Sequence, residues 1–289
     1  MRTGDGEIKM KNADLHVHSY YSDGDFPPGE VVRKAKRLGI KYLALADHNS
    51  IDGVAEAVRE GRKQGVVVIP AIEIKAEENE VLGYFIDYKD KNFGGEIKKI
   101  QNNIIRRVKK IIKKMNKKGI KITFSELLEE YGPNKNIIEI HLILSLGKRG
   151  FGKVGDLWPR YIKEGGETYV PVKIPSVIDA IKLIKRYRGV PVLAHPWLGR
   201  TVLEPENMRN YVKAGLKGIE ISNGDKARMG RDEKTIALIK YYAKKYGLIM
   251  TSGSDFHGPL LTKDSGTHIL GKNNCDEKTV EKLEKIKGK

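Results

Sequence analysis

Cysteine is almost absent from this sequence of 289 residues, which contains only Cys275. An internal disulfide is therefore impossible, and a structural zinc site built from thiolates is excluded. Apolar runs are short as well: none approaches the roughly 20 residues that cross a bilayer, and residues 1–6 lack the apolar core of a secretory signal. These absences predict a cytoplasmic protein without a membrane partner, and no pattern indicates an obligate protein partner.

Common catalytic signatures are missing or stand in the wrong context. The sequence contains no Gly-x-Ser-x-Gly and no Gly-x-x-x-x-Gly-Lys-Ser/Thr, and its Gly-x-Gly-x-x-Gly at 150–155 lies in the helical middle of the chain and does not follow a predicted strand. Cys275 lies in a polar tail with no histidine nearby except His268. The sequence therefore does not favour a serine triad, a P-loop or a Rossmann nucleotide site.

The balance of charge is strongly positive. With 54 lysines and arginines against 37 aspartates and glutamates, the net charge is +17. Such a charge favours anionic partners, either a phosphorylated small molecule or a short oligonucleotide. The alternative is that the richness in Lys, Glu and Ile reflects a hot habitat, since charged surfaces are common in thermophile proteins.

Short apolar runs alternate with amphipathic stretches on both sides of a helical middle. Before it, the pattern predicts strands at 13–18, 41–46, 66–74 and 81–86, and helices at 28–38 and 52–64. After it, the pattern predicts helices at 176–188, 205–214 and 231–246, and strands at 190–194, 217–222 and 248–254. This alternation indicates an α/β fold with parallel strands joined by right-handed crossovers.

The middle of the chain interrupts this rhythm. Apolar residues that recur every three or four positions predict one helix at 95–118. We therefore predict two domains: an α/β domain formed by 1–91 and 171–289, and a helical insertion domain at 92–170. The many lysines and arginines of the long helix indicate a solvated face, and a nucleic-acid cradle is the alternative.

Histidines and acids stand where the apolar runs end. They are His16, His18, His48, His195, Asp255 and His257. Residues two apart in a strand point to the same side, so each of the pairs His16/His18 and Asp255/His257 can hold a single ion. Because parallel strands end at one rim, the pattern predicts a metal cluster there, against the alternative of structural histidines.

Two further acids extend the candidate set. Glu73 lies in an apolar strand, where burial without a partner is costly; it either bridges two cations or forms a salt bridge. Asp23 follows the first strand, where an Asx turn would also explain it. Nitrogen and oxygen ligands suit Mn, Zn, Fe or Mg. Clustered ions activate water and neutralise a phosphate, so we expect hydrolysis of a phosphoester.

Four segments resemble, in order, the motifs of the PHP (polymerase and histidinol phosphatase) superfamily: Asp14-Leu15-His16-Val17-His18-Ser19, Ala46-Asp47-His48-Asn49, Ala194-His195-Pro196 and Ser254-Asp255-Phe256-His257. The resemblance implies a distorted (βα)7, TIM-like barrel with a small helical insertion domain and two or three divalent ions. It implies three ligand sets: His16, His18, Glu73 and Asp255; Asp23, His48 and His257; and Glu73, His141 and His195.

Two positions depart from the subgroup that the chain is most similar to. Glu80 stands where a histidine is usual, so the third ion would be bound through oxygen. The arginine often found before the insertion histidine is missing, and Arg200 is the predicted substitute that clamps the phosphate. His195 or His257 is predicted to protonate the leaving oxygen.

The subgroup consists of stand-alone phosphoesterases, and the segments Tyr21-Ser22-Asp23-Gly24 and Leu82-Gly83-Tyr84 resemble it. It implies a metal-dependent phosphoric ester hydrolase that uses a metal-bound hydroxide. The expected substrates are AMP, a nucleoside 3′,5′-bisphosphate, or short nucleic-acid ends, as for a 5′-3′ exonuclease. The alternatives are a phosphatase for histidinol phosphate or another small metabolite, and a catalytically inactive PHP module that binds nucleic acid.

Overall fold

A single sheet organises the molecule. The computed structural model describes residues 12–133, 135–199, 201–221, 233–259, 269–272 and 275–288. Within these residues, seven strands lie side by side in chain order. They are β1 (Ala13–Val17), β2 (Tyr42–Leu45), β3 (Val67–Lys75), β4 (Glu80–Tyr84), β5 (Val190–Leu193), β6 (Gly218–Glu220) and β7 (Ile249–Thr251).

Helices connect most of these strands. They are α1 (Pro28–Arg37), α2 (Val54–Gln64), α3 (Lys91–Lys117), α4 (Phe124–Tyr131), α5 (Glu139–Lys148), α6 (Val154–Tyr161), α7 (Val177–Arg186), α8 (Pro205–Ala214), α9 (Glu233–Tyr246) and α10 (Glu277–Ile286). Five of them, α3 to α7, lie between β4 and β5 in the sequence. In the described part of the chain, no helix has both the length and the apolar character needed to cross a membrane.

Strand β4 corrects the expectation of a purely parallel sheet. The pairs β1–β2, β2–β3, β5–β6 and β6–β7 are parallel, whereas β4 is antiparallel to both β3 and β5. The cause is the short link at 76–79, since a parallel crossover needs about a dozen residues or more. Because β4 runs the other way, its first residue, Glu80, pairs with Lys75 at the end of β3.

The sheet curls so that its two outer strands approach each other. Leu15 N donates to Ser252 O at 3.3 Å, His18 N donates to Phe256 O at 2.9 Å, and Asp255 N donates to His16 O at 2.8 Å. The chain that follows β7 therefore runs beside β1. This contact joins residues from the two ends of the sequence.

Helix α3 packs against two different groups of apolar side chains. Near its start, Phe93 and Ile104 belong to the core that includes residues of α7, α8 and α9. Further along, Val108 and Ile111 pack with apolar residues of α4, α5 and α6. The helix begins before residue 95, where the pattern placed it, because the side chain of Asp90 accepts hydrogen bonds from two backbone N–H groups of the first turn.

Gly253 should be essential for the contact between the outer strands. A Cβ at this position would lie 2.3 Å from His16 N, so backbone would have to move. We expect Gly253→Ala to lower the free energy of unfolding by about 2–3 kcal/mol. Chemical and thermal unfolding followed by circular dichroism would measure this change.

Gly95→Ala is the matched control for that substitution. A Cβ at Gly95 meets nothing within 4 Å, and alanine in a helix is favoured over glycine by about 0.5–1 kcal/mol. The control should therefore be at least as stable as the parent. A Gly253→Ala protein with the stability of the parent would contradict the close approach of the two segments.

Candidate metal centre

Nine polar side chains meet at one edge of the sheet, where β1, β2, β3 and β5 end and β4 begins. They are His16, His18, Asp23, His48, Glu73, Glu80, His195, Asp255 and His257. Parallel strands explain most of this convergence, since their carboxyl ends share an edge. Glu80 joins because β4 is antiparallel and therefore starts at that edge. Each of the nine was predicted from the sequence as a ligand.

Glu73 lies at the centre of the group and is completely buried. Its Oε2 atom is 3.2 Å from His16 Nε2, 3.4 Å from His18 Nε2 and 3.0 Å from His48 Nδ1. Its other oxygen, Oε1, is 2.8 Å from His195 Nε2. One carboxylate therefore faces four imidazoles, and both of its oxygens can bridge between neighbouring sites.

Three sets of described side chains each bring one donor atom per residue within 4.8 Å of one another. They are His16, His18, Glu73 and Asp255; His18, Asp23, His48 and His257; and His48, Glu73 and Glu80. The first set has the composition that the sequence implied, and the second has His18 in addition. The third has His48 and Glu80 in place of His141 and His195, although His195 Nε2 is also 3.4 Å from Glu80 Oε2.

The spacing of these donor atoms fits a divalent ion. The distances of 3.0 to 3.4 Å from Glu73 Oε2 to three ring nitrogens can be compared with known coordination. Nitrogen ligands lie about 2.0–2.1 Å from zinc, so neighbouring donors of a tetrahedral site are about 3.3 Å apart. Without an ion, the same separation requires a proton on each ring nitrogen that faces the carboxylate.

Several of the same atoms are buried and have no hydrogen-bond partner. They are His16 Nε2, His18 Nδ1, His48 Nδ1, Glu73 Oε2 and Asp23 Oδ1. Buried polar atoms in proteins are normally paired. A group of unpaired donors around one carboxylate is therefore the arrangement expected of residues that hold cations.

The pKa values of three buried histidines depend on which charged groups surround each ring. Burial alone would lower the pKa of His257, but Asp23 and Asp255 raise it to about 10. Burial would also lower the pKa of His195, but Glu73 and Glu80 raise it to about 9. His18 differs, because burial together with His257 and His48 lowers its pKa to about 3.

Glu220 orients two of the histidines and was not predicted as a functional residue. Its Oε1 atom is 3.1 Å from His16 Nδ1, and its Oε2 atom accepts a hydrogen bond from His195 N at 2.7 Å. A carboxylate behind a ligand histidine fixes the nitrogen that faces the ion. The signal was available, because Glu220 is an acid in the apolar segment 218–221, as Glu73 is in its own strand.

The loop that carries Asp23 is held from two sides. Asp47 accepts hydrogen bonds at 2.7 Å from Ser19 N, Ser19 Oγ and Ser22 Oγ. On the other side, the buried side chain of Lys135 donates to Gly24 O at 2.7 Å. These contacts fix the position of Asp23 relative to the strands.

Three of the five described non-glycine residues with positive φ lie at this edge. Asn49, His195 and Asp255 have positive φ angles of 48°, 21° and 54°. Such angles are uncommon outside glycine and cost about 1–3 kcal/mol each, and they cluster at functional sites. Asn49 is held by two hydrogen bonds, from its own N to Glu73 O at 2.8 Å and from Lys75 N to its side chain at 3.0 Å.

His141 is not a member of the three sets, although its buried Nε2 atom has no hydrogen-bond partner. Its Nδ1 accepts a hydrogen bond from Ile138 N at 3.0 Å, and its ring packs edge-on against Tyr131. Burial, together with Lys135, lowers its pKa to about 3. Its assignment to a third ion stays a prediction. The predicted phosphate clamp, Arg200, lies outside the described residues.

A cavity of about 480 Å³ opens onto the cluster. His48, Glu80 and His195 contribute to its lining on the side of the sheet, and Ile104, Glu139 and Trp158 contribute from α3, α5 and α6. Pockets that bind small molecules usually measure about 300–1,000 Å³. The arrangement can therefore hold a small ligand between the metal-ligand candidates and the helices that follow β4.

Comparisons with known proteins agree with this geometry. Residues 14–139 match the family described as PHP domain. A 3′,5′-nucleoside bisphosphate phosphatase from Chromobacterium violaceum is 29% identical over 258 residues, which are 86% of this chain and 88% of that protein. A 5′-3′ exoribonuclease from Haemophilus influenzae is 26% identical over 272 residues, which are 91% of this chain and 94% of that protein.

A solved structure has the same fold over nearly the whole chain. It is that of a candidate metal-dependent phosphoesterase from Bifidobacterium adolescentis, with a TM-score of 0.82 and 25% identity, and the match covers 93% of this chain and 94% of that one. The resemblance inferred from the four motifs is therefore confirmed. The match of residues 14–139 to the PHP domain, the relatives and the clustered histidines and acids indicate an enzyme similar to the metal-dependent phosphoesterases that contain this domain.

Proposed function

We propose that the protein hydrolyses phosphoesters of nucleotides. It removes phosphate from a nucleoside monophosphate or a nucleoside 3′,5′-bisphosphate, or it acts on the end of a short nucleic acid. The observation that carries this proposal is the group of nine histidines and acids around Glu73, which lies at one side of a cavity large enough for a nucleotide. The substrates named for the relatives from Chromobacterium violaceum and Haemophilus influenzae support it.

The donor set suits two or three divalent ions chosen from Mn, Zn, Fe and Mg. Divalent ions bound here would lower the pKa of water and neutralise the negative charge of a phosphate. His16, His18, Glu73 and Asp255 would hold one ion, and Asp23, His48 and His257 would hold a second. Glu80 would hold a third together with Glu73 and His195.

Other residues act on the substrate itself. We assign protonation of the leaving oxygen to His195 or His257, as the sequence predicted; the residue that acts would have to carry its proton on a nitrogen that does not bind an ion. Arg200 is proposed to contact the phosphoryl oxygens. The segment 92–170 is proposed as an insertion domain that closes one wall of the cavity through Ile104, Glu139 and Trp158.

A substrate panel tests the proposed function. Release of phosphate would be measured with AMP, adenosine 3′,5′-bisphosphate, a 5′-phosphorylated oligonucleotide and histidinol phosphate, after addition of Mn²⁺. We expect turnover of at least one of the first three, and Glu73→Gln should lower it on the order of 100-fold or more, since losing even a residue behind a ligand costs about 10- to 100-fold.

Glu96→Gln is the control for that variant, because Glu96 pairs only with Lys99 on the exposed face of α3. It should retain the parent activity. Strong preference for histidinol phosphate would overturn the nucleotide assignment. A protein that retains no metal and releases no phosphate, yet binds single-stranded RNA with steep salt dependence, would instead be a binding module.

Glu220 should strengthen metal binding by orienting His16, although Glu220 itself is not proposed as a ligand. We expect Glu220→Gln to weaken Mn²⁺ or Zn²⁺ binding about 10- to 100-fold, because the amide no longer fixes the orientation of His16. Competition with a fluorescent chelator would measure the affinity, and Glu167→Gln on the surface is the control. Equal affinities in both variants would show that Glu220 only supports the fold.

Metal binding should release protons. The pKa values of His195 and His257 are raised to about 9 and about 10 in the ion-free protein, so both carry a proton at pH 7.5. A cation can bind these nitrogens only after the protons leave, so affinity should increase as pH rises from 7.5 to 9. Calorimetry in buffers of different ionisation enthalpy would count the protons; release of none would contradict the assignment of both residues as ligands.

A further inference from the structure

Lys75 is the single lysine or arginine among the described residues that line the cavity. It lies on β3 two positions after Glu73, so the two side chains point to the same face of the sheet. Two residues of strand rise about 6.6–6.8 Å. Lys75 therefore follows Glu73 on the same face of β3 and lines the cavity beside the metal-ligand candidates.

The ammonium group of Lys75 is held by an acid that has a second partner. Its Nζ atom is 3.2 Å from Glu139 Oε2, and Arg107 Nη1 is 2.7 Å from Glu139 Oε1. Glu139 and Arg107 are buried, whereas Lys75 is 25% exposed. If Lys75 turns toward a ligand, Glu139 keeps its bond to Arg107, so the movement leaves no buried carboxylate without a partner.

Apart from the metal-ligand candidates, the described cavity wall has no other positively charged side chain. Glu77 and Glu78 are exposed and repel negative charge. Outside the metal-ligand candidates, Lys75 is the one cationic side chain of the described lining that can pair with a negatively charged group. Trp158 and Leu198 offer apolar surface to the organic part of the ligand, and Leu198 is 57% exposed.

We propose that Lys75 determines specificity by binding a second phosphate group of the substrate while the first lies at the metal cluster. This inference rests on the proposed function. The ligand chemistry is a nucleotide with two phosphates attached to one sugar. The second phosphate is either a terminal phosphate, as in a nucleoside 3′,5′-bisphosphate, or the next phosphodiester of an oligonucleotide.

Three substrates and three variants test the proposal. The substrates are AMP, adenosine 3′,5′-bisphosphate and a 5′-phosphorylated adenylate dinucleotide, and kcat/KM is measured for each with the metal-loaded protein. The variants are Lys75→Met, Lys75→Arg and Lys148→Met. Lys148 is the matched control, since its Nζ atom is also paired with one glutamate, Glu130, at 2.7 Å, and it does not line the cavity.

The parent should prefer a substrate with two phosphates over AMP. Lys75→Met should lower the ratio of kcat/KM for that substrate to kcat/KM for AMP by about 10- to 100-fold, the range for a hydrogen bond to a charged group. Lys75→Arg should recover most of the ratio, and Lys148→Met should not change it. Loss of the ratio for the bisphosphate identifies a terminal phosphate as the ligand; loss for the dinucleotide identifies the phosphodiester.

Equal losses on AMP and on both larger substrates would overturn the proposal, as would an unchanged ratio in Lys75→Met. Circular dichroism would verify folding, and Lys75→Gln replaces Lys75→Met if that variant does not fold. If the parent releases no phosphate from any substrate, the proposed function fails. Equilibrium dialysis of adenosine 3′,5′-bisphosphate and AMP then decides the role of Lys75, since a preference for the bisphosphate that Lys75→Met removes supports it and no preference overturns it.

Discussion

The meeting of one buried carboxylate with several imidazoles is the interaction on which the rest of the structure depends. Glu73 has no exposed surface. Burial would raise its pKa, but His16, His48 and His195 hold it well below its usual range. An ionised group in this position is costly unless positive charge surrounds it. The cluster provides that charge either as protonated histidines or as bound cations, and the unpaired ring nitrogens favour the cations.

The fold brings these residues together from opposite ends of the sequence. His16 and Asp255 are adjacent because the segment after β7 forms hydrogen bonds with β1. Gly253 permits that approach, since any larger side chain would meet the backbone of His16. The antiparallel direction of β4 adds Glu80, and the positive φ angles of His195 and Asp255 turn both side chains at the ends of their segments. The energetic cost of these strained residues is consistent with a site that is maintained for chemistry.

Much of the site could be predicted because a polar residue at the end of an apolar run is a local signal. His16, His48 and His195 were predicted as ligands in this way. Glu73 was predicted because a carboxylate within an apolar strand is costly to bury unless a cation or a basic side chain balances its charge. Glu220 gives the same signal but lies outside the four motifs. The α/β class was predictable from the alternation of strands and helices, and the resemblance to PHP proteins followed from the order of the motifs.

Other features could not be inferred from local patterns. The direction of β4 depends on a link too short for a crossover, and the strand itself is apolar in either direction. Lys75 and Lys135 are ordinary lysines in the sequence, and their roles depend on Glu139 and Gly24, which are distant in the chain. The position of His141 also depends on tertiary packing, since its ring is held by Tyr131 and by the backbone of Ile138.

The central claim is that Glu73 and the surrounding histidines hold clustered divalent ions. Anomalous diffraction from crystals soaked in Mn²⁺ tests it most directly. The account predicts at least two peaks within bonding distance of the Glu73 carboxylate and about 3.5–4 Å from each other, with His16 and His48 as ligands. Crystals without peaks at Glu73, or with these imidazoles turned away from it, would contradict the account.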